Sequence, residues 1–250
     1  MSKIQLEQKL NAEHRLIPFE TSALPPGPWL VFAPHADDET YGMAGSLLKA
    51  SEAGIETHLV VMTDGALGGS AADLVDVRHQ EVKDAAKLLG IAGLDCWQEP
   101  DRGLVTSEAL VSKIIKKIID VGAASVFFPG PLELHPDHRI TAHLVWAAIQ
   151  ELGSTEAAPH AYSYEIGVQN PVNIFIDISE QRPKKEQVMA IYASQNDENN
   201  YEELVLSLDK GRTFTLPPNV SHAEGFYLYT QAEQAKSLKE VTHDIIELYF

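Results

Sequence analysis

Short apolar runs alternate with stretches of helical periodicity from Trp29 to Leu152, and this alternation limits the fold more than any other feature of the chain. Trp29 to Ala33 follows the turn-rich Pro25 to Pro28 and reads as a buried strand. Glu39 to Ala53 reads as a helix, with Tyr41, Ala44, Leu47 and Leu48 on one face and Gly54 as its stop. Thr57 to Met62 is a second strand that ends in the turn signal Thr63-Asp64-Gly65, Asp76 to Leu89 is helical up to Gly90, and Asp95 to Gln98 is a third strand. Ser107 to Val121 is helical, Ser125 to Phe128 is another apolar strand, and Ile140 to Leu152 is a further amphipathic helix. Strands that take turns with helices imply an α/β fold: a Rossmann-like, mostly parallel sheet with helices on both faces. Beyond Leu152 the pattern loosens to a strand over Val172 to Ile178, a helix over Lys184 to Tyr192 and a polar loop over Ser194 to Asn200. No repeat or clear linker interrupts the chain, so residues 1–250 are expected to form one domain with its core at about 29–152.

Composition narrows the partners. With 44% hydrophobic residues the chain can bury a substantial core. Its formal net charge of −17 repels phosphate backbones and anionic headgroups, so neither nucleic acid nor a membrane surface is an expected partner. No run approaches the ~18 apolar residues of a membrane span, and the polar N-terminus lacks the apolar core of a signal peptide. Cys96 is the single cysteine, which leaves no intrachain disulfide and no cysteine-based zinc site. The expected location is the cytoplasm; a homo-oligomer is left open.

In an open α/β sheet, ligands bind beyond the carboxyl ends of the strands. His35, Asp37, Asp38 and Glu39 directly follow the first strand, and imidazole with carboxylate is a ligand set for zinc or another borderline divalent ion. A helix cap at Asp37 or Asp38 accounts for one carboxylate but not for the histidine and both aspartates. His135-Pro136-Asp137-His138 forms a second cluster after the strand at Ser125 to Phe128, with Pro136 well placed to open a helix. A cap at Asp137 beside two solvent histidines is the plainer reading of that cluster alone. Two clusters, each at the end of a parallel strand, weigh more together. His35, Asp38 and His138 would supply the three protein ligands of a catalytic zinc, leaving Asp37 and His135 free for proton chemistry. The 2-His-1-carboxylate set also suits Fe(II), and cobalt stays open as well. Asp137 reads equally as a partner that orients a histidine or as a helix cap. Arg78 and Glu81, three apart on a helix, read from spacing alone as readily as a surface pair.

The ordered set His35-Ala36-Asp37-Asp38-Glu39, Thr63-Asp64-Gly65, Arg78-x-x-Glu81 and His135-Pro136-Asp137-His138 resembles the LmbE/PIG-L-like family of zinc-dependent N-acetylglucosamine deacetylases. The resemblance covers roughly residues 29 to 152, and Tyr192-Ala-Ser-Gln195 looks like the family's late Ser-Gln element. It implies His35, Asp38 and His138 as metal ligands, Asp37 as general base and His135 as transition-state stabiliser. It also implies Arg78 and Asp101 as substrate contacts. Two positions depart from the pattern: Ala36 replaces the usual proline, and Ala66 stands where many members carry an acidic residue. The resemblance thus implies a hydrolase that removes acetyl from an N-acetylglucosamine-type sugar, with a small amino sugar as its partner and a protonated His135 beside the oxyanion. Its rivals are an amidase on a related sugar-thiol conjugate, a non-catalytic sugar-binding module and a nucleotide-binding transferase. The last lacks the glycine fingerprint.

Overall fold

The computed structural model describes residues 18–153, 155, 158–196 and 199–248. Seven strands form one sheet in the order β3-β2-β1-β4-β5-β7-β6. These are β1 (Trp29–Ala33), β2 (Thr57–Thr63), β3 (Gly93–Glu99), β4 (Ser125–Pro129), β5 (His160–Tyr164), β6 (Ile174–Asp177) and β7 (Ala223–Tyr229). All pairings from β3 to β5 are parallel, whereas β7 runs antiparallel to both β5 and β6. The sheet is therefore mostly parallel, as expected.

Side chains alternate across a strand, and β1 shows how this chain uses that rule. Trp29, Val31 and Ala33 enter one core, together with residues of α1 (Asp38–Glu52), α2 (Leu74–Leu89) and α5 (Arg182–Met189). Leu30 and Phe32 enter the opposite core, with residues of α3 (Glu108–Val121), α4 (Pro136–Leu152) and α9 (Leu238–Glu247). Both faces are covered, which is why β1 reads as an unbroken apolar run rather than an alternating one. The remaining helices are α6 (Ala193–Asn196), α7 (Tyr201–Gly211) and α8 (Gln231–Gln234).

The elements expected from sequence are present with small shifts in their bounds. Pro136 opens α4, four residues before the expected start, because proline's fixed φ suits the first helical position. The expected polar loop at Ser194 to Asn200 is corrected in its first part, where Ala193–Asn196 forms a helical turn; residues 197–198 lie outside the described residues. Strands β5 and β7 were not foreseen.

The chain runs β1 to β3 outward in one direction and then returns to lay β4 against the other side of β1. That reversal is the switch point at which an open α/β sheet forms a crevice. Both motif clusters, after β1 and after β4, sit there. Helix α1 approaches β5 closely at Gly42, where an added Cβ would stand 2.4 Å from a ring carbon of Tyr164 and 2.5 Å from the Glu165 carbonyl oxygen. Gly42→Ala is expected to cost about 1–3 kcal/mol through overpacking, read as a lowered urea midpoint at unchanged slope. A midpoint equal to that of the parent protein would contradict the packing.

Candidate active site

The turn between β1 and α1 holds Asp37 at φ 133°, a region that L-residues rarely occupy. Such a conformation costs of order 1–3 kcal/mol and persists only where neighbours impose it. The neighbours here are identifiable. The Asp37 amide donates to Glu39 Oε2 at 3.3 Å, and its carbonyl accepts from the amides of Thr40 and Tyr41, both at 2.9 Å. Glu39 is itself fully buried and accepts from the Tyr192 hydroxyl at 2.5 Å and from Thr40 Oγ1 at 2.7 Å. Asp37 occupies the N-cap position of α1 but makes no capping hydrogen bond with its side chain. Its carboxylate instead accepts from Arg78 Nη2 at 3.2 Å.

Arg78 is buried, and it also donates to the Ala36 carbonyl at 2.8 Å and the Gly65 carbonyl at 3.4 Å. Gly65, at φ 64°, lets the turn after β2 fold around the guanidinium. The surface pairing of Arg78 with Glu81 does not occur. Glu81 is buried and accepts from the Ser194 amide and hydroxyl at 2.9 and 2.6 Å, tying α6 to α2.

Asp38 joins the two clusters. Its Oδ2 accepts the His35 amide at 2.9 Å and stands 3.1 Å from His35 Nδ1 and 3.3 Å from His138 Nε2. The other His35 nitrogen, Nε2, faces Asp137 Oδ2 at 3.3 Å and Asp101 Oδ1 at 3.4 Å. Asp137 therefore meets a histidine and does not cap α4. The cap is His135, whose Nδ1 accepts the Asp137 amide at 3.2 Å. Because Nδ1 is the acceptor, a neutral His135 carries its proton on Nε2. Asp101 also accepts the Leu67 amide at 2.9 Å, and its own amide donates to Asp64 at 3.1 Å.

Sequence reasoning missed Glu133, a buried carboxylate in the loop after β4. It accepts the amides of Ile166 and Gly167 at 2.9 and 3.2 Å and lies 3.6 Å from His138 Nδ1, so it links a cluster histidine to the cleft wall. The signal was present: a lone charge between Leu132 and Leu134, two residues before His135.

The electrostatics follow from burial. Burial pushes the Asp37 carboxyl up to about 8, against the opposing pull of Arg78. Burial also works against an ionised Asp38, but His138 and His35 outweigh it and hold that carboxyl far below the usual range. His138 rises to about 9: burial disfavours its charge, and Asp38 and Glu133 overcome that. Burial likewise disfavours a charged His35, yet Asp101, Asp137 and Asp38 raise it well above its usual value. For His135 burial acts in concert with His35 and His138, and the shift is downward.

The cluster is short of positive charge: Asp37, Asp38, Asp101, Glu133 and Asp137 gather around the three histidines with one permanent cation, Arg78. A divalent cation would fit the same need. His35, His135 and His138 present ligand atoms within 4.8 Å of one another, as do His35, Asp101, His135 and Asp137. His138 Nδ1 and Asp101 Oδ1 are buried without a hydrogen-bond partner among the described residues. A cleft of about 780 Å³ opens above the cluster, with Arg78, Asp101 and Gln195 in its lining and Ile166, Val168 and Tyr201 among its walls. That volume is in the range of pockets that enclose a small organic ligand, roughly 300–1,000 Å³.

Residues 30–149 match the family described as PIG-L: GlcNAc-PI de-N-acetylase. A probable N-acetyl-alpha-D-glucosaminyl L-malate deacetylase 2 of Bacillus anthracis is 27% identical over 183 residues, covering 66% of this chain and 80% of the relative. A diacetylchitobiose deacetylase of Thermococcus kodakarensis is 26% identical over 197 residues, covering 69% and 72% of the two chains. Among solved structures, GalB, the 4-carboxy-2-hydroxymuconate hydratase of Pseudomonas putida KT2440, shares the fold with a TM-score of 0.70 at 20% identity, over 80% of this chain and 95% of that one. One fold thus carries more than one reaction, and chemistry has to be argued from the site. Its ordered motifs and the match over residues 30–149 make this chain similar to the PIG-L, or LmbE-like, deacetylase family.

Proposed function

We propose that the chain is a zinc-dependent hydrolase that removes the acetyl group from an N-acetylglucosamine-type amino sugar or its conjugate. The observation that carries this reading is the convergence of both clusters at the sheet's switch point, where Asp38 meets His138 and His35 while the strained Asp37 beside it is held by Arg78. Members of the family are metal-dependent deacetylases. Two relatives, named for a glucosaminyl malate and for diacetylchitobiose, both act on N-acetylated glucosamine derivatives.

In this reading His35, Asp38 and His138 hold the ion, and Asp137 and Glu133 fix the two imidazoles from behind. When bound, the ion lowers the pKa of a water and polarises a carbonyl. Asp37 takes the proton of the attacking water as the C–O bond forms at the acetamide carbon. His135, with Nδ1 committed to the Asp137 amide, offers Nε2–H to the developing oxyanion. It therefore donates as a neutral ring, which replaces the protonated His135 expected from sequence. The C–N bond then breaks, Asp37 returns its proton to the leaving amine, and acetate and a free amino sugar are released. Arg78 supports Asp37, and Asp101 with Gln195 lines the cleft for the sugar. The contributing residues run from 35 to 201, which supports reading the chain as one unit. A lone cysteine suits the reducing cytoplasm.

The test is a substrate panel. Zinc-loaded protein is expected to release free amine from N-acetylglucosaminides and not from acetylated peptides. Release from peptides but not from sugars would overturn the substrate class, and cleavage only of sugar-thiol conjugates would favour the amidase.

A further inference from the structure

Helix α1 bends at Met43, where φ is −153° and ψ is 20° inside an otherwise helical run. In an unbroken helix the Gly45 amide would bond the Tyr41 carbonyl, across this point. Here both groups reach one buried ion pair. The amides of Gly45 and Ser46 donate to the two carboxylate oxygens of Glu224 on β7, at 2.8 and 2.7 Å. The Tyr41 carbonyl accepts from Lys185 Nζ on α5 at 3.1 Å, and that ammonium also donates to Glu224 Oε1 at 2.8 Å. Asp209 on α7 meets the same ammonium at 2.8 Å.

Lys185 is fully buried and Glu224 is 1% exposed. Desolvating such a pair costs enough that apolar residues of similar size often stabilise a protein as well or better, so stability alone does not account for this pair. What this pair specifies is a bend. The turn before it carries Asp38, Glu39 and Tyr41, and Tyr41 lines the cleft and donates to Asn196 at 3.0 Å. Gly42 seats against Tyr164 just after that turn.

We infer that Glu224 and Lys185 are positioning residues: by capping the bend in α1 they set the angle at which Asp38 enters the site. The consequence for metal rests on the reading of Asp38 as a ligand. Glu224 and Asp209 differ in a useful way, since both face Lys185 but only Glu224 holds the α1 amides.

The experiment compares the parent chain with Glu224→Gln and Asp209→Asn in two measurements. One is the affinity for Zn²⁺ against a chromophoric chelator. The other is amide hydrogen exchange of peptides spanning residues 38–48. Glu224→Gln is expected to weaken zinc binding measurably, by less than the roughly 10–100-fold that loss of a group bonded directly to a ligand costs, and to speed exchange in that segment. Asp209→Asn is expected to lower the melting temperature while leaving zinc affinity and α1 exchange as they were. Should Glu224→Gln not fold, Glu224→Asp replaces it: it keeps the charge for Lys185 but is one methylene too short to hold both amides. Unchanged exchange and zinc affinity in the Glu224 variants would overturn the inference, as would equal zinc loss in Asp209→Asn. If the parent protein binds no zinc, the reading under Proposed function fails while the exchange measurement still decides whether Glu224 holds the bend.

Discussion

Asp37→Asn is expected to lower kcat by ~10²–10⁴-fold, the usual consequence of losing a general base, while bound metal and substrate affinity stay near those of the parent protein. The side chain keeps its size and can still accept from Arg78, so the strained turn has no reason to relax. What it loses is the capacity to take a proton. In the wild-type chain burial pushes the Asp37 carboxyl up, against the pull of Arg78, and so toward the pH range in which a proton carrier is most effective. Steady-state kinetics with metal analysis on the same sample read both quantities. Near-normal turnover would move the base elsewhere, and loss of metal would make Asp37 a ligand.

The second large effect is on metal. His35→Ala, Asp38→Ala and His138→Ala are each expected to cost more affinity than the roughly 10–100-fold associated with an outer partner. The far-UV circular dichroism should persist, because these side chains line the cleft rather than either apolar core. Metal content after dialysis against a weak chelator measures the effect. Full occupancy in all three variants would remove the site assignment.

The central strands β1, β2 and β4 were legible because they are almost wholly buried and so read as apolar runs. Strand β7 was not, for a reason the structure supplies: Glu224 and Gly225 interrupt its apolar pattern. The carboxylate sits there to serve the bend in α1, a long-range need that local periodicity does not register. Strand β5 is short, five residues, and its pattern of Tyr162 and Tyr164 around Ser163 gave too little period to separate it from a loop. In the site, residue types and spacing disclosed His35, Asp37, Asp38, His135 and His138. Neither spacing nor type could tell that Arg78 reaches across to Asp37 over a separation of 41 residues. The capping of α4 by His135, in place of Asp137, was hidden in the same way, since either residue satisfies the sequence rule for a helix start.

Metal-dependent deacetylation of an amino sugar is the central claim, and free-amine release from an N-acetylglucosaminide tests it most directly when measured on one preparation as purified, after chelation and after readdition of Zn²⁺. The account predicts one acetate released per amine formed, loss of activity on chelation and its return with zinc. Amine release that chelation leaves undiminished, or none from any N-acetylglucosaminide with zinc stoichiometrically bound, would contradict it.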